Sequence, residues 1–134
     1  MRKAIVAAIL VICLCRTTNA DSTFTVAGPG LATCERFSSE TGKATQTEKL
    51  FFSWAQGWMS AANMMLAVTA GKSSTANLAA MSIDEQMLHI RTYCQENPFK
   101  YYEAAIIDLY DSMRTTQGLP SWITSLKPKN FSSS

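Results

Sequence analysis

Four cysteines in two very different settings constrain this 134-residue chain more than any other feature. Cys13 and Cys15 close an unbroken apolar run, Ala4 to Cys15, that follows Arg2-Lys3 and precedes the polar Arg16-Thr17-Thr18-Asn19. Thr18 and Ala20 place small side chains three residues and one residue before an Ala20/Asp21 junction. A basic start, a short apolar stretch and small residues before a cut make a secretory signal peptide, so residues 1–20 are expected to leave. The run is too short for a stable anchor, because a spanning helix needs about 20 apolar residues. Lipoprotein processing fits poorly, since the bulky Ile12 and Leu14 precede the two cysteines where a small side chain is favoured.

Once the leader is gone, Cys34 and Cys94 are the remaining cysteines. They allow one internal pairing, which an oxidising compartment favours. Closing a loop of about 60 residues stabilises a fold by about 4 kcal/mol on chain-entropy grounds. A bridge between chains is the alternative pairing. A structural metal would need more ligands, and the chain has no CxxC. The expectation is one internal disulfide, Cys34–Cys94.

Charge follows the same division. The formal net charge is +2, but the leader carries Arg2, Lys3 and Arg16 of the 12 basic residues and none of the 10 acidic ones. The remainder is therefore near −1. No basic surplus survives to hold nucleic acid or an anionic membrane surface. With 47% hydrophobic and 10% aromatic residues the chain is not disordered, and its length suits one domain.

Patterning divides the rest into an irregular lead-in at 21–31 around Gly28-Pro29-Gly30, a helical domain at 32–118, and a partly docked tail at 119–134. Within the domain, 32–37 reads as a short helical turn and 38–47, polar with Gly42, as a loop. A long helix is predicted from Thr47 to about Ala70. Phe51, Trp54, Trp58, Ala61/Ala62 and Met65 recur on one face, and Phe52, Met59 and Leu66 form a second apolar stripe. A helix apolar on more than one side is normally buried between partners. Gly57, Ser60, Ala61 and Ala62 would let another helix come close, and Gly71 is a natural stop.

Lys72 to Met81 reads as a connector. Ser82-Ile83-Asp84-Glu85 is a capping box that starts the next helix, with Ile83, Met87, Ile90 and Cys94 on its apolar face. Asn97 and Pro98 suit the cap and first position of a last helix. Phe99, Tyr102, Ile106, Leu109 and Met113 make its stripe, which ends near Gln117-Gly118. Beyond it Trp122, Ile123, Leu126 and Phe131 lack a clear period. The class is all-α: three main helices, a short N-terminal one and one disulfide.

No chemistry-bearing constellation stands out. A nucleophile needs a base beside it, yet His89 is the single histidine and there is no GxSxG. Glu85 and His89, four apart, read as a surface pair. Asp84-Glu85 and Asp108/Asp111 read as solvated charges. No glycine loop cradles phosphate. The expectation is a non-enzyme without metal or cofactor. Most of Met59, Met64, Met65, Met81, Met87 and Met113 should fill the core, though methionines also suit an adaptable binding surface. The candidate binding or packing surface is Phe52, Trp54, Trp58, Met59, Asn63 and Leu66 on the long helix.

The order of an export signal, Thr33-Cys34-Glu35-Arg36-Phe37, Trp54-Ala55-Gln56-Gly57-Trp58-Met59-Ser60-Ala61-Ala62-Asn63 and Tyr93-Cys94-Gln95-Glu96-Asn97-Pro98 resembles the HdeA/HdeB-like family of small bacterial periplasmic proteins. The resemblance spans roughly 33–113. It implies an all-helical fold with Cys34 bridged to Cys94, and an acid-stress chaperone that is dimeric near neutrality and holds hydrophobic client segments in acid. The WAQGWMSAAN segment and the longer cysteine spacing depart from the characterised chaperones. Gly57-Trp58 and Asn97-Pro98-Phe99 followed by Ala104-Ala105 are loosely similar to periplasmic immunity proteins that neutralise type VI secretion amidase toxins. That likeness lacks the usual C-terminal cysteine pattern. Together the two resemblances imply a periplasmic, polypeptide-binding protein, with client chains, a second copy or a toxin as partner.

Overall fold

The computed structural model describes residues 26–42 and 44–121. The expected leader, its cut at Ala20/Asp21, most of the lead-in and the tail beyond Ser121 lie outside these residues. Four α-helices carry the fold: α1 (Cys34–Thr41), α2 (Thr45–Thr69), α3 (Ile83–Glu96) and α4 (Tyr102–Thr116). Short 3-10 turns precede α1 at Gly28–Leu31 and fill the α2–α3 connector at Lys72–Ser74 and Leu78–Ala80. Among the described residues there is no strand, and the all-α class holds.

Local chemistry sets most boundaries. Thr33 Oγ1 accepts from the Arg36 amide and caps α1. α1 runs past the predicted turn and takes in 38–41, which composition assigned to loop. Its hydroxyls are absorbed internally: Ser39 and Thr41 donate to the Arg36 and Phe37 carbonyls. Arg36 pairs with Glu40 one turn on, 2.7 Å apart. α2 is rich in Ala, Leu, Met and Gln, all strong helix formers, and ends where Gly71 takes φ +91. The capping box at Ser82 is present, with the Glu85 carboxylate accepting from the Ser82 amide at 2.8 Å.

α4 begins at Tyr102, not at Pro98, and Asn97 caps the end of α3 instead. The reason is tertiary. Residues 98–101 pair with the chain leading into α1, where the Cys34 and Glu35 amides donate to the Lys100 and Pro98 carbonyls and the Tyr102 amide donates to Ala32. The Tyr102 amide, which a helix begun at Pro98 would give to the Pro98 carbonyl, has one proton and is committed to Ala32. Phe99, expected in the apolar stripe, is consequently turned outward and 88% exposed.

The core lies where the four helices meet. Cys34 and Cys94 form the disulfide, with Cα atoms 4.7 Å apart and both residues buried, tying α1 to α3. Beside it Phe37, Phe51 and Tyr102 stack with ring centroids 4.9–5.3 Å apart. Ile106, Leu109, Tyr110 and Met113 of α4 pack against Ala55, Met59, Ala62 and Leu66 of α2 in the same cluster. On α3 the buried positions are Gln86, Ile90 and Cys94. The predicted Ile83 is exposed, because Gln86 turns inward to donate to the Leu78 and Met81 carbonyls and so anchors the connector.

Candidate functional site

α2 is the longest element, and its two sides differ sharply. Phe51, Ala55, Met59, Ala62 and Leu66, spaced at three and four residues, point into the core. On the opposite side Leu50, Met64 and Val68 are 60%, 71% and 87% exposed, and Gly57, Ser60 and Ala61 also face outward. No charged residue stands between Lys49 and Lys72. A surface helix normally carries its charges opposite the core. Here that position holds apolar side chains, bare backbone and the Ser60 hydroxyl, which donates to the Gln56 carbonyl.

Among the described residues the expected close helix approach at Gly57, Ser60 and Ala61 is not made. A methyl group added to Gly57 would meet nothing within 4 Å. Ala55 and Ala62 provide the close approach toward the core instead. Gly30 is the glycine that is sterically required, since its Cβ would fall 2.2 Å from the Trp54 ring.

The six candidate surface residues separate on folding. Met59 and Leu66 are fully buried and belong to the core. Asn63 is a structural node: its amide exchanges two 2.8 Å hydrogen bonds with the Ala76 backbone and accepts from the Tyr110 hydroxyl. Phe52, half-buried, packs against the core on the side of Met87 and Ile90. Trp54 and Trp58 alone border the outward face. The Trp54 indole donates to the Ala27 carbonyl at 3.0 Å, and the Trp58 indole donates to Glu103 at 3.1 Å. Between them, with Val26, Ala27 and Gly57, runs a groove of about 410 Å³. Of the six expected residues, therefore, only these two lie along the edge of the exposed side of α2. The uncharged span between Lys49 and Lys72 was the available signal that α2 has an apolar outer side, but it does not say which residues face outward. Of the methionines, Met59 and Met113 are core, Met81 and Met87 are partly covered, and Met64 and Met65 are exposed.

The charged groups act mainly as ties between elements. His89 pairs with Asp108 of α4 at 2.8 Å and not with Glu85, whose carboxylate is committed to the Ser82 cap. That hydrogen bonding holds Glu85 below its ordinary carboxylate range. Asp111, expected to be free in solvent, accepts from Ser121 and so holds the start of the tail. Arg91 and Glu48 join α3 to α2 at 2.7 Å. No hydroxyl or thiol among the described residues is hydrogen-bonded to the His89 ring, and no group of three or more His, Cys, Asp or Glu is placed there to hold a metal ion.

Sequence reasoning missed Arg114. It is completely buried, donates to the Ser74 and Pro120 carbonyls, and lies 5.8 Å from the centre of the Tyr110 ring. It thereby holds the connector and the base of the tail against α4. Its position four after Tyr110 and eight after Ile106 on one side of α4 was the available hint. Burial raises the hydroxyls of Tyr102 and Tyr110 above the usual phenol range. Among the described residues no helix is long and apolar enough to cross a membrane. The chain matches no protein-family model, and comparison with curated proteins and with solved structures likewise finds no match.

Proposed function

We propose that this is an exported, non-enzymatic protein that binds polypeptide through the outward face of α2, in its sharpest form an acid-stress holdase of the HdeA/HdeB-like kind. The observation that carries this reading is the uncharged, apolar side of α2 left outside a core that is complete without it. Exposed contiguous apolar surface on a small domain marks an interaction site. Flexible thioethers such as Met64 and Met65 adapt to varied apolar partners, as a client-binding surface requires. The buried Cys34–Cys94 bridge suits an oxidising compartment and would limit expansion of an opened chain.

Acid dependence follows from charge. Without the leader, protonating the 10 carboxylates leaves nine basic residues and a protonated His89 unopposed. Self-repulsion of that size loosens compact states. The ties Arg36–Glu40, Arg91–Glu48 and His89–Asp108 each need an ionised carboxylate. The test is suppression of aggregation of an acid-unfolded client by the purified protein. Protection in acid that is lost in Met64→Lys or Val68→Lys supports the reading. Equal client loss with and without the protein removes it. Tight neutral-pH capture of one amidase, with no protection of other clients, would assign the face to an immunity function instead.

A further inference from the structure

The groove at the edge of α2 has a chemistry that a purely apolar docking surface does not need. It is lined by Val26, Ala27, Trp54, Trp58 and Glu103, with Gly57 between the two tryptophans. The two indoles are its side-chain N–H donors, and both are committed, Trp54 to the Ala27 carbonyl and Trp58 to Glu103 Oε1. These bonds also fix the rings. What the lining side chains present to a ligand is therefore π-surface, methyl groups and the second oxygen of one carboxylate. Glu103 is the one charged residue among the described lining, and no ion pair among the described residues includes it. We infer that this groove takes a lysine side chain of a bound polypeptide, with its stem along the indoles and its ammonium at Glu103. The inference rests on the polypeptide-binding reading above and adds the residue type that the edge of the face selects.

Charge and shape both point to lysine. A groove whose remaining side-chain polar atom is an anionic acceptor repels a carboxylate or phosphate and favours a positively charged donor. Indole faces attract such a cation, and tryptophan does so best of the aromatic residues. The aliphatic stem of lysine buries along apolar surface while its ammonium stays at the edge. Gly57 leaves room for that stem, since a methyl group added there would meet nothing within 4 Å. Arginine is the poorer match. Its paired donors suit both oxygens of a carboxylate, and Trp58 already holds one of these. The lysine ammonium is a point charge that needs only the other. An uncharged chain of similar length, as in norleucine, would gain the indole contacts without the carboxylate.

The test is fluorescence anisotropy at neutral pH with a short labelled peptide of alanine and leucine that carries one central lysine. Twins with arginine, norleucine or glutamate at that place are measured beside it. The lysine peptide should bind about tenfold tighter than the norleucine twin, the product of a cation–π contact and an exposed ion pair. Glu103→Gln keeps an acceptor for the Trp58 indole and should cut that preference to about threefold, the cation–π share. Gly57→Leu fills the groove from a position with open space around it and should weaken the lysine peptide by about tenfold or more. Circular dichroism checks that both variants fold. No binding of the lysine peptide, equal binding of its norleucine twin, tighter binding of the arginine or glutamate twin, or an unchanged preference in folded Glu103→Gln would each overturn the inference. Butylamine competing as strongly, mole for mole, as the lysine peptide would assign the groove to a free amine and overturn the polypeptide occupant. Client protection on the same proteins separates the two proposals: protection without lysine preference refutes the groove alone, and lysine preference without protection in acid refutes the holdase reading alone.

Discussion

The Tyr110 hydroxyl of α4 donates to Asn63 Oδ1 of α2 over 2.6 Å, and the same Asn63 amide holds both backbone groups of Ala76. One side chain thus links two helices and the connector. Asn63→Leu should lower stability by about 2–3 kcal/mol, because the Ala76 backbone loses its Asn63 partners and the Tyr110 hydroxyl loses one of its hydrogen bonds in a sheltered site. Tyr110→Phe together with Asn63→Leu should cost less than the two separate losses summed, since the pair is coupled. Urea unfolding of the four proteins checks both statements.

Arg114 serves the far end of the connector. Arg114→Met keeps the length of the buried side chain but removes the donors to the Ser74 and Pro120 carbonyls. The expected cost is about 1–3 kcal/mol. Hydrogen exchange should accelerate at 72–81 and 117–121 before it does so in α2. A uniform acceleration through the core would contradict the local role.

Two glycines should respond oppositely to alanine. Gly30→Ala drives a methyl into the Trp54 ring, which cannot swing freely while its indole is bonded to Ala27, so about 1–3 kcal/mol should be lost. Tryptophan emission should shift to the red as the ring is displaced. Gly57→Ala in dilute solution meets open space within a helix and should stabilise by about 0.4–1 kcal/mol.

The bridge and its burial predict redox behaviour. Neither sulfur is accessible, so alkylation after reduction should appear only when the protein is unfolded. Cys34→Ser with Cys94→Ser should cost about 4 kcal/mol on chain-entropy grounds. Thermal unfolding with and without reductant measures the difference.

Stability should fall at both ends of the pH scale for identifiable reasons. Glu85 is held below its ordinary 4.5 by the Ser82 hydrogen bonds. Its contribution is therefore present above that value and lost as pH falls through the lower folded one. Glu85→Gln should flatten the acid limb of the stability curve. Tyr102 is raised by burial and by the nearby Glu48 charge, so stability should be lost as pH climbs above the ordinary 10.0, where the unfolded chain ionises and the folded one resists. Tyr102→Phe should move the alkaline midpoint upward.

Much of this arrangement was legible from local order alone. The apolar period named α2 and the body of α4, the Ser82-to-Glu85 spacing named the start of α3, and the two cysteines beyond the N-terminal apolar run named the bridge. These depend on neighbours within four residues or on simple elimination. What the packed molecule settled depends on partners far away in the chain. Residues 98–101 gave up a helical start to pair with the approach to α1, and Gln86 and Arg114 turned inward because connector and tail carbonyls needed donors. Both apolar stripes of α2 were readable, but which of their residues met a core and which met water was not. A helix face carries no label of its own, and its burial is fixed only when another element arrives to cover it.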